Sequence, residues 1–374
     1  SMSDSDDDFF KPTKKNETEK QPEEQGMINY GKYYKQYIRD PGIEGRKASR
    51  LLFLRSFNNW IKCSIINKYT FILGRDLSVL DICCGRGGDL EKFFRAKVKM
   101  YIGADLAEES LKNAMDRITK LKNEKFKDLQ CKCLFITEDV SDPNNNLLKK
   151  IPSEVYFDLV SCQFAMHYHF ESEKRLYTFL NNVVSKLMDG GYFIGTIIDS
   201  NVLVKRLRNR KSSENKYMDE KFTFGNDFYS VKFYQKRFPK DKPFGIKYGF
   251  YLEDSLDKKD EHGNIKYIEE YLVCFDVFVK ICEEFDLHLV EKKNFTEFYE
   301  EILDKKYFYN LFTKMVKDLD NETKEKQWEI IQLYQFFVMR KGKSDKSNKY
   351  VPAIKYNKLH IKDYNPVHIT DTFE

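Results

Sequence analysis

The sequence has no run of about eighteen apolar residues and no opening apolar segment of signal-peptide type, so neither a membrane-spanning helix nor secretion is expected, and the chain reads as a soluble intracellular protein. It has no C-x-x-C pair. Its eight cysteines, Cys63, Cys83, Cys84, Cys131, Cys133, Cys162, Cys274 and Cys282, mostly sit inside apolar runs, which speaks against a zinc site and for reduced, buried thiols. No internal repeat is visible, which sets solenoids and propellers aside.

What is there is a chain of 374 residues, 41% of them apolar, long enough for one large domain or two small ones. The formal net charge is +5, but residues 1–26 carry eight acids against four bases, which leaves +9 on the remainder. A basic body fits a polyanionic partner such as nucleic acid. The acidic head has too little apolar content to order itself and is expected to be a flexible tail.

From Tyr30 to about Lys68 the chain is aromatic and basic with helical spacing. From Ser78 onward the β-rich runs SVLDICC, KMYIGADL, CLFITED, FDLVSCQF and YFIGTII alternate with LEKFFRAK, ESLKNAMDRITKLK and RLYTFLNNVVSKLM. That alternation predicts an α/β fold with a doubly wound, mostly parallel sheet. After Ser200 the pattern breaks, and RNRKSSENKYMDEK and DSLDKKDEHGNIK read as long surface loops of an inserted lobe, residues 205–268. A helix-like stretch EEYLVCFDVFVKICEEF, the short run LHLVEK and a final strand IIQLYQFFVMR complete the sheet. The main domain is bounded at 27–340, with 341–374 as a polar extension.

The run DICCGRGGDL, residues 81–90, follows the apolar SVL. A strand feeding a glycine turn into a helix presents backbone N–H groups at the carboxyl edge of the sheet, where such folds bind nucleotide-like cofactors. A dinucleotide and S-adenosylmethionine compete for this position. The dinucleotide fingerprint G-x-G-x-x-G fails here, because Gly85 and Gly87 are followed by Leu90 where the third glycine belongs. Asp81, just before the glycines, repels a pyrophosphate but welcomes a methionine ammonium group, so charge favours S-adenosylmethionine. Asp105 ends the second strand, placed to accept ribose hydroxyls, Asp139 ends the third, placed to meet the adenine amine, and Gln163 ends the fourth.

The chain resembles the eukaryotic and viral mRNA cap guanine-N7 methyltransferases from about Tyr30 to Arg340. The likeness rests on LRSFNNWIK, VLDICCGRGGDL, SCQFAMHYHFES, GGYFIGT, FGNDFYSVKF, FGIKYGFYLED, EEYLVCF, FTEFYEE and LYQFFVMRK. The resemblance implies a Rossmann-like class I methyltransferase fold with a sheet of about seven strands, an N-terminal helical cap-binding segment and an inserted lobe. It implies transfer of the S-adenosylmethionine methyl to N7 of the terminal guanine of GpppN-capped mRNA.

Carried over by position, the resemblance implies that Lys62, Asp81, Gly85, Asp89, Asp105, Asp139 and Gln163 hold the cofactor. It gives the guanine to Asn58, Phe164, His167, Tyr168, Glu270 and Tyr334, with Glu270, His167 and Tyr168 as the catalytic set. Asn58 and Lys62 are four apart and so share a helix face. Without the resemblance, FAMHYHF reads first as an aromatic strand end packed into the core, with His167 a satisfied core histidine. Arg55, Arg86, Lys205 and Arg206 are the candidates for cap phosphate and RNA, the last two within KRLRNRK. The H-x-H pair His167 and His169 lacks a third ligand at metal spacing, and transfer from a sulfonium needs no metal, so none is expected.

Two departures from the family stand out. Cys83 occupies a position commonly held by glycine, close to where the cofactor approaches, and TIIDS replaces a proline-bearing segment, placing Ile198 against the cap. Two other readings remain open: methylation of another RNA base, and a cap-binding subunit without turnover. As partners the resemblance implies capped mRNA and a guanylyltransferase or the transcription machinery. It further implies a monomer, no membrane, and a nuclear location, or a cytoplasmic one for a viral protein.

Overall fold

The computed structural model describes residues 49–209, 222–235, 237–239, 241–253, 264–316, 321–342 and the backbone of 367–369. The acidic head, the Tyr30–Lys47 stretch, most of the two polar stretches after Ser200 and nearly all of the C-terminal extension lie outside the described residues.

The central sheet has eight strands: β1 Ser78–Ile82, β2 Met100–Asp105, β3 Lys132–Thr137, β4 Phe157–Gln163, β5 Leu187–Ile198, β10 Leu287–Asn294, β11 Tyr334–Lys341 and β12 Val367–Ile369. Their order is β10-β11-β5-β4-β1-β2-β3-β12, and within it only β11 runs against its neighbours. The alternation of strand and helix in the sequence thus yields the doubly wound parallel sheet it predicts. β12 adds an edge strand to the expected seven. Between β1 and β4 the strand order reverses, and ligands of such sheets bind at the carboxyl ends there.

Period-two alternation along β1 sends Val79 into one apolar cluster and Leu80 and Ile82 into another, one on each face of the sheet. The first cluster is roofed by the helix Leu52–Leu73, which buries Phe53, Phe57, Trp60, Ile61 and Ile65 along one stripe. Phe57 and Trp60 meet Tyr299, Phe312 and Phe298 from the helices Phe295–Ile302 and Lys306–Met315 in edge-on and tilted contacts. Leu51, at the helix start, makes no side-chain cap. Instead the N–H of Leu54 donates to Gln327 Oε1 at 3.0 Å, and Gln327 Nε2 donates to the carbonyl of Arg50 at 2.9 Å. One buried glutamine from the helix Asn321–Ile331 therefore satisfies the first turn of the roof.

A second, antiparallel sheet follows β5: β6 Thr223–Asn226, β7 Tyr229–Phe233, β8 Lys247–Leu252 and β9 Ile268–Tyr271. Here the structure corrects two expectations. EEYLVCF does not begin a helix: Ile268–Tyr271 pairs with β8, and the helix starts only at Phe275. Cross-strand pairing of Ile268 with Phe250 and of Glu270 with Tyr248 outweighs a local spacing that also suits a helix. Likewise IIQLYQFFVMR is not all strand, because Ile330 and Ile331 close the preceding helix and β11 begins at Tyr334.

Candidate active site

A cavity opens at the carboxyl ends of β1, β2, β3 and β4, with Lys62, Asp81, Cys83, Gly85, Asp89, Asp105, Asp139, Gln163, Phe164 and Tyr168 in its wall. Every residue assigned to the cofactor from the sequence is among them. The turn after β1 passes through Cys83, Gly85 and Gly87 with φ of 62°, 53° and 67°, a left-handed path that glycine follows without strain and cysteine does not. Asp105 braces this turn from β2: its Oδ2 accepts the Gly85 N–H at 2.8 Å and its Oδ1 the Ala107 N–H at 2.9 Å.

The acids differ in their company. Asp81 is buried and accepts the Tyr101 hydroxyl at 2.7 Å. Burial, with the charge of Asp89 nearby, pushes its carboxyl up to about 8. Burial also raises Asp105 above the usual carboxylate range. Asp89 is buried too, but Lys62 and Lys92, each 2.8 Å from its Oδ1, hold it below that range. Asp139 is gripped by the Arg175 guanidinium at 2.7 Å and accepts the Ser141 N–H at 3.1 Å. Gln163 turns its amide inward, donating to Ser161 Oγ at 2.9 Å and accepting from Thr196 Oγ1 at 3.0 Å.

Phe164 links this cavity to an aromatic wall. Its φ of 55° is held by a shared hydrogen bond from its N–H to the carbonyl and hydroxyl oxygens of Thr196, both at 3.0 Å. Its ring lies 5.7 Å below Lys62 Nζ and meets Tyr334 edge-on at 5.1 Å. Ile198, directly across the sheet from Tyr334, shares its face and is buried.

Glu270 comes from β9 of the second sheet and is 6% exposed. Tyr248, its cross-strand partner, donates its hydroxyl to Oε2 at 2.7 Å. Burial nonetheless pushes the Glu270 carboxyl up to about 7, against which the Tyr248 hydrogen bond works. His167, in the 3-10 turn Met166–Glu171, brings Nε2 to 3.4 Å from Glu270 Oε1 without a hydrogen bond. Burial lowers His167 to about 3, so this contact joins a neutral ring to a carboxyl and is no ion pair. Both ring nitrogens of His167 and the Oδ1 of Asn58 are buried with no hydrogen-bond partner among the described residues. Such orphans are costly, and a polar ligand relieves them.

The remaining sequence candidates scatter. Arg86 lines a neighbouring groove with Lys92 and Arg95, and Arg55 lies one helical turn before Asn58. Lys205 is exposed on the helix Ser200–Asn209. Arg206 is half-buried and donates to Tyr229 Oη at 2.8 Å and Gln332 Oε1 at 2.9 Å. Leu207, Arg208 and Asn209 close the same helix, and only the last two residues of KRLRNRK lie outside the described residues. The H-x-H pair does not converge: His167 faces Glu270 while His169 lies against Cys83 and Ser141. Of the eight free thiols, five are buried as expected, but Cys83, Cys84 and Cys274 are half-buried.

Sequence reasoning missed Tyr248, Arg175, Lys92 and Tyr101, the groups that orient or charge the acids. Tyr248 lies within the inserted lobe, where no strand was expected, and nothing local in the sequence pairs it with Glu270. Asp81 and Asp105, in no ion pair among the described residues, fit a ligand that brings an ammonium and hydroxyl donors, and they repel a pyrophosphate. S-adenosylmethionine meets that description.

Comparison with known proteins agrees with this geometry. The family model for the mRNA (guanine-N(7))-methyltransferase domain matches residues 16–342. The mRNA cap guanine-N(7) methyltransferase 1 of Oryza sativa subsp. japonica is 37% identical over 309 residues, covering 80% of this chain and 77% of its own. Its namesake in Arabidopsis thaliana is 36% identical over 321 residues, with 81% and 79% covered. The mRNA cap guanine-N(7) methyltransferase of Schizosaccharomyces pombe is 36% identical over 287 residues, with 76% and 72% covered.

Proposed function

We propose, for a chain that belongs to the mRNA (guanine-N7)-methyltransferase family, that the cavity and the aromatic wall beside it are the cofactor and guanine halves of one active site. The enzyme transfers the methyl group of S-adenosylmethionine to N7 of the cap guanine of mRNA. The observation that carries the division of labour is Phe164, whose ring lines the cavity with the acids, lies 5.7 Å from Lys62 Nζ and meets Tyr334 edge-on at 5.1 Å.

In the cofactor half, Asp81 receives the ammonium, Asp105 the ribose hydroxyls and Asp139, steadied by Arg175, the adenine amine. Lys62 meets the methionine carboxylate. Gly85 lets the backbone pass close, and Asp89 and Gln163 hold the walls. Bound S-adenosylmethionine supplies an electrophilic methyl on a sulfonium that departs as a neutral thioether.

In the guanine half, Glu270 accepts the N1–H and the exocyclic N2–H, a pattern adenine does not offer. Phe164, Tyr168 and Tyr334 wall the base, and His167 and Asn58 offer their unpartnered polar atoms to it. N7 carries a lone pair at neutral pH, so no general base is required. Holding the reactants in line supplies up to ~7–11 kcal/mol. Positive charge arriving on the methylated base is met by Glu270 and the aromatic faces. Arg55, Arg86 and Lys205 are the proposed contacts for cap phosphate and RNA.

The proposed domain runs over 27–340, with the lobe at 205–268. A guanylyltransferase or transcription partner, a monomeric state and a nuclear location complete the reading. Methyl transfer from labelled S-adenosylmethionine to GpppA, with ATP and uncapped RNA as controls, tests it. Label on guanine N7 of GpppA alone is expected; label on uncapped RNA contradicts it.

A further inference from the structure

Beneath the cofactor cavity lies a cluster that the reaction does not use. Cys83 stands at the first position after β1, Cys162 within the adjacent β4, and His169 in the 3-10 turn that follows β4. One ligand atom from each lies within 4.8 Å of the other two, the one such grouping of three among the described residues. Cys162 and His169 are fully buried, while half-buried Cys83 also lines the cavity.

The geometry suits a soft divalent cation. Zinc held by thiolate at ~2.3 Å and imidazole at ~2.0–2.1 Å in a tetrahedron sets sulfur and nitrogen about 3.6 Å apart. Cys83 Sγ and His169 Nε2 are 3.6 Å apart. The imidazole is fixed for this use: Nδ1 is hydrogen-bonded to Ser141 Oγ, and the ring stacks on Phe179 at 3.8 Å and 14°. Engagement of the far nitrogen by a side-chain oxygen is the arrangement that orients metal-bound histidines. Three protein ligands leave a fourth position, which water fills, and Cys83 gives access from the cavity.

We infer that Cys83, Cys162 and His169 form an inhibitory site for a zinc-class cation at the floor of the cofactor cavity. Binding forms two S–metal bonds and one N–metal bond; each thiol releases its proton to solvent, and no redox change occurs. The ion and its water compete with S-adenosylmethionine for the space beside Cys83. That competition, though not the ion site itself, rests on the assignment of this cavity to the cofactor.

The test uses the reduced full-length chain with Co2+ and Zn2+ as probes, first without cofactor. The parent is expected to show thiolate-to-cobalt charge-transfer absorption, bleached by one equivalent of Zn2+. Cys162→Ala and Cys83→Gly should lose it, and Cys282→Ala, a buried thiol elsewhere, should keep it. Glycine suits the φ of 62° at position 83, so that variant is expected to fold. Calorimetry then follows the cofactor: with Zn2+ at ten times its own dissociation constant, the apparent Kd for S-adenosylmethionine should rise about elevenfold in the parent and stay unchanged in Cys162→Ala. Absorption that survives both ligand variants overturns the site. An ion that binds at the cluster but leaves cofactor affinity unchanged overturns the inhibition.

Discussion

Glu270 concentrates the tension between stability and function in a single side chain. Its folded carboxyl titrates near 7, against an ordinary 4.5, so the native state binds the proton more tightly than the unfolded chain does. A raised carboxyl favours folding fully below the unfolded value, and that contribution is lost as pH rises through the folded one, about 3 kcal/mol in all. Glu270→Gln is therefore expected to match the parent in thermal denaturation at pH 5 and to exceed its Tm at pH 8. The same change replaces an acceptor with an amide that opposes the guanine N–H groups, so kcat/KM for GpppA should fall about a hundredfold. In the proposed role the charged form accepts guanine. KM for GpppA should thus rise as pH falls below 7, approaching tenfold per pH unit. Removing the Tyr248 hydroxyl with Tyr248→Phe takes away the bond that lowers this carboxyl, and the KM profile should move to higher pH. At this scale the sequence showed the acids at or just past the strand ends, because strand order alone puts Asp81, Asp105 and Asp139 on one edge. Their partners Tyr101, Arg175 and Tyr248 stayed hidden, since each pairing depends on packing 20 to 36 residues away.

Among the elements, the helix Leu52–Leu73 carries Asn58 and Lys62 and roofs the site, yet its first turn depends on another helix. Gln327→Ala leaves the Leu54 N–H and the Arg50 carbonyl without their partner. A loss of about 1–3 kcal/mol in urea denaturation is expected. The parallel strands and this helix were legible because each carries its own period. The start of β9 and the end of the helix before β11 were not, because IEEY and IIQL suit either state and tertiary pairing decides. The second sheet had no local alternation strong enough to announce four strands, and it carries Glu270 on β9.

For the whole molecule, the proposal gives the cofactor to the mostly parallel sheet and the acceptor for guanine to the antiparallel sheet. The account therefore requires the two halves to fail independently. Calorimetric titration of S-adenosylmethionine into Asp105→Ala and Glu270→Gln, side by side, tests this most directly. Asp105→Ala should weaken cofactor binding at least about tenfold, while Glu270→Gln stays within about twofold of the parent. Equal weakening in both variants would contradict it.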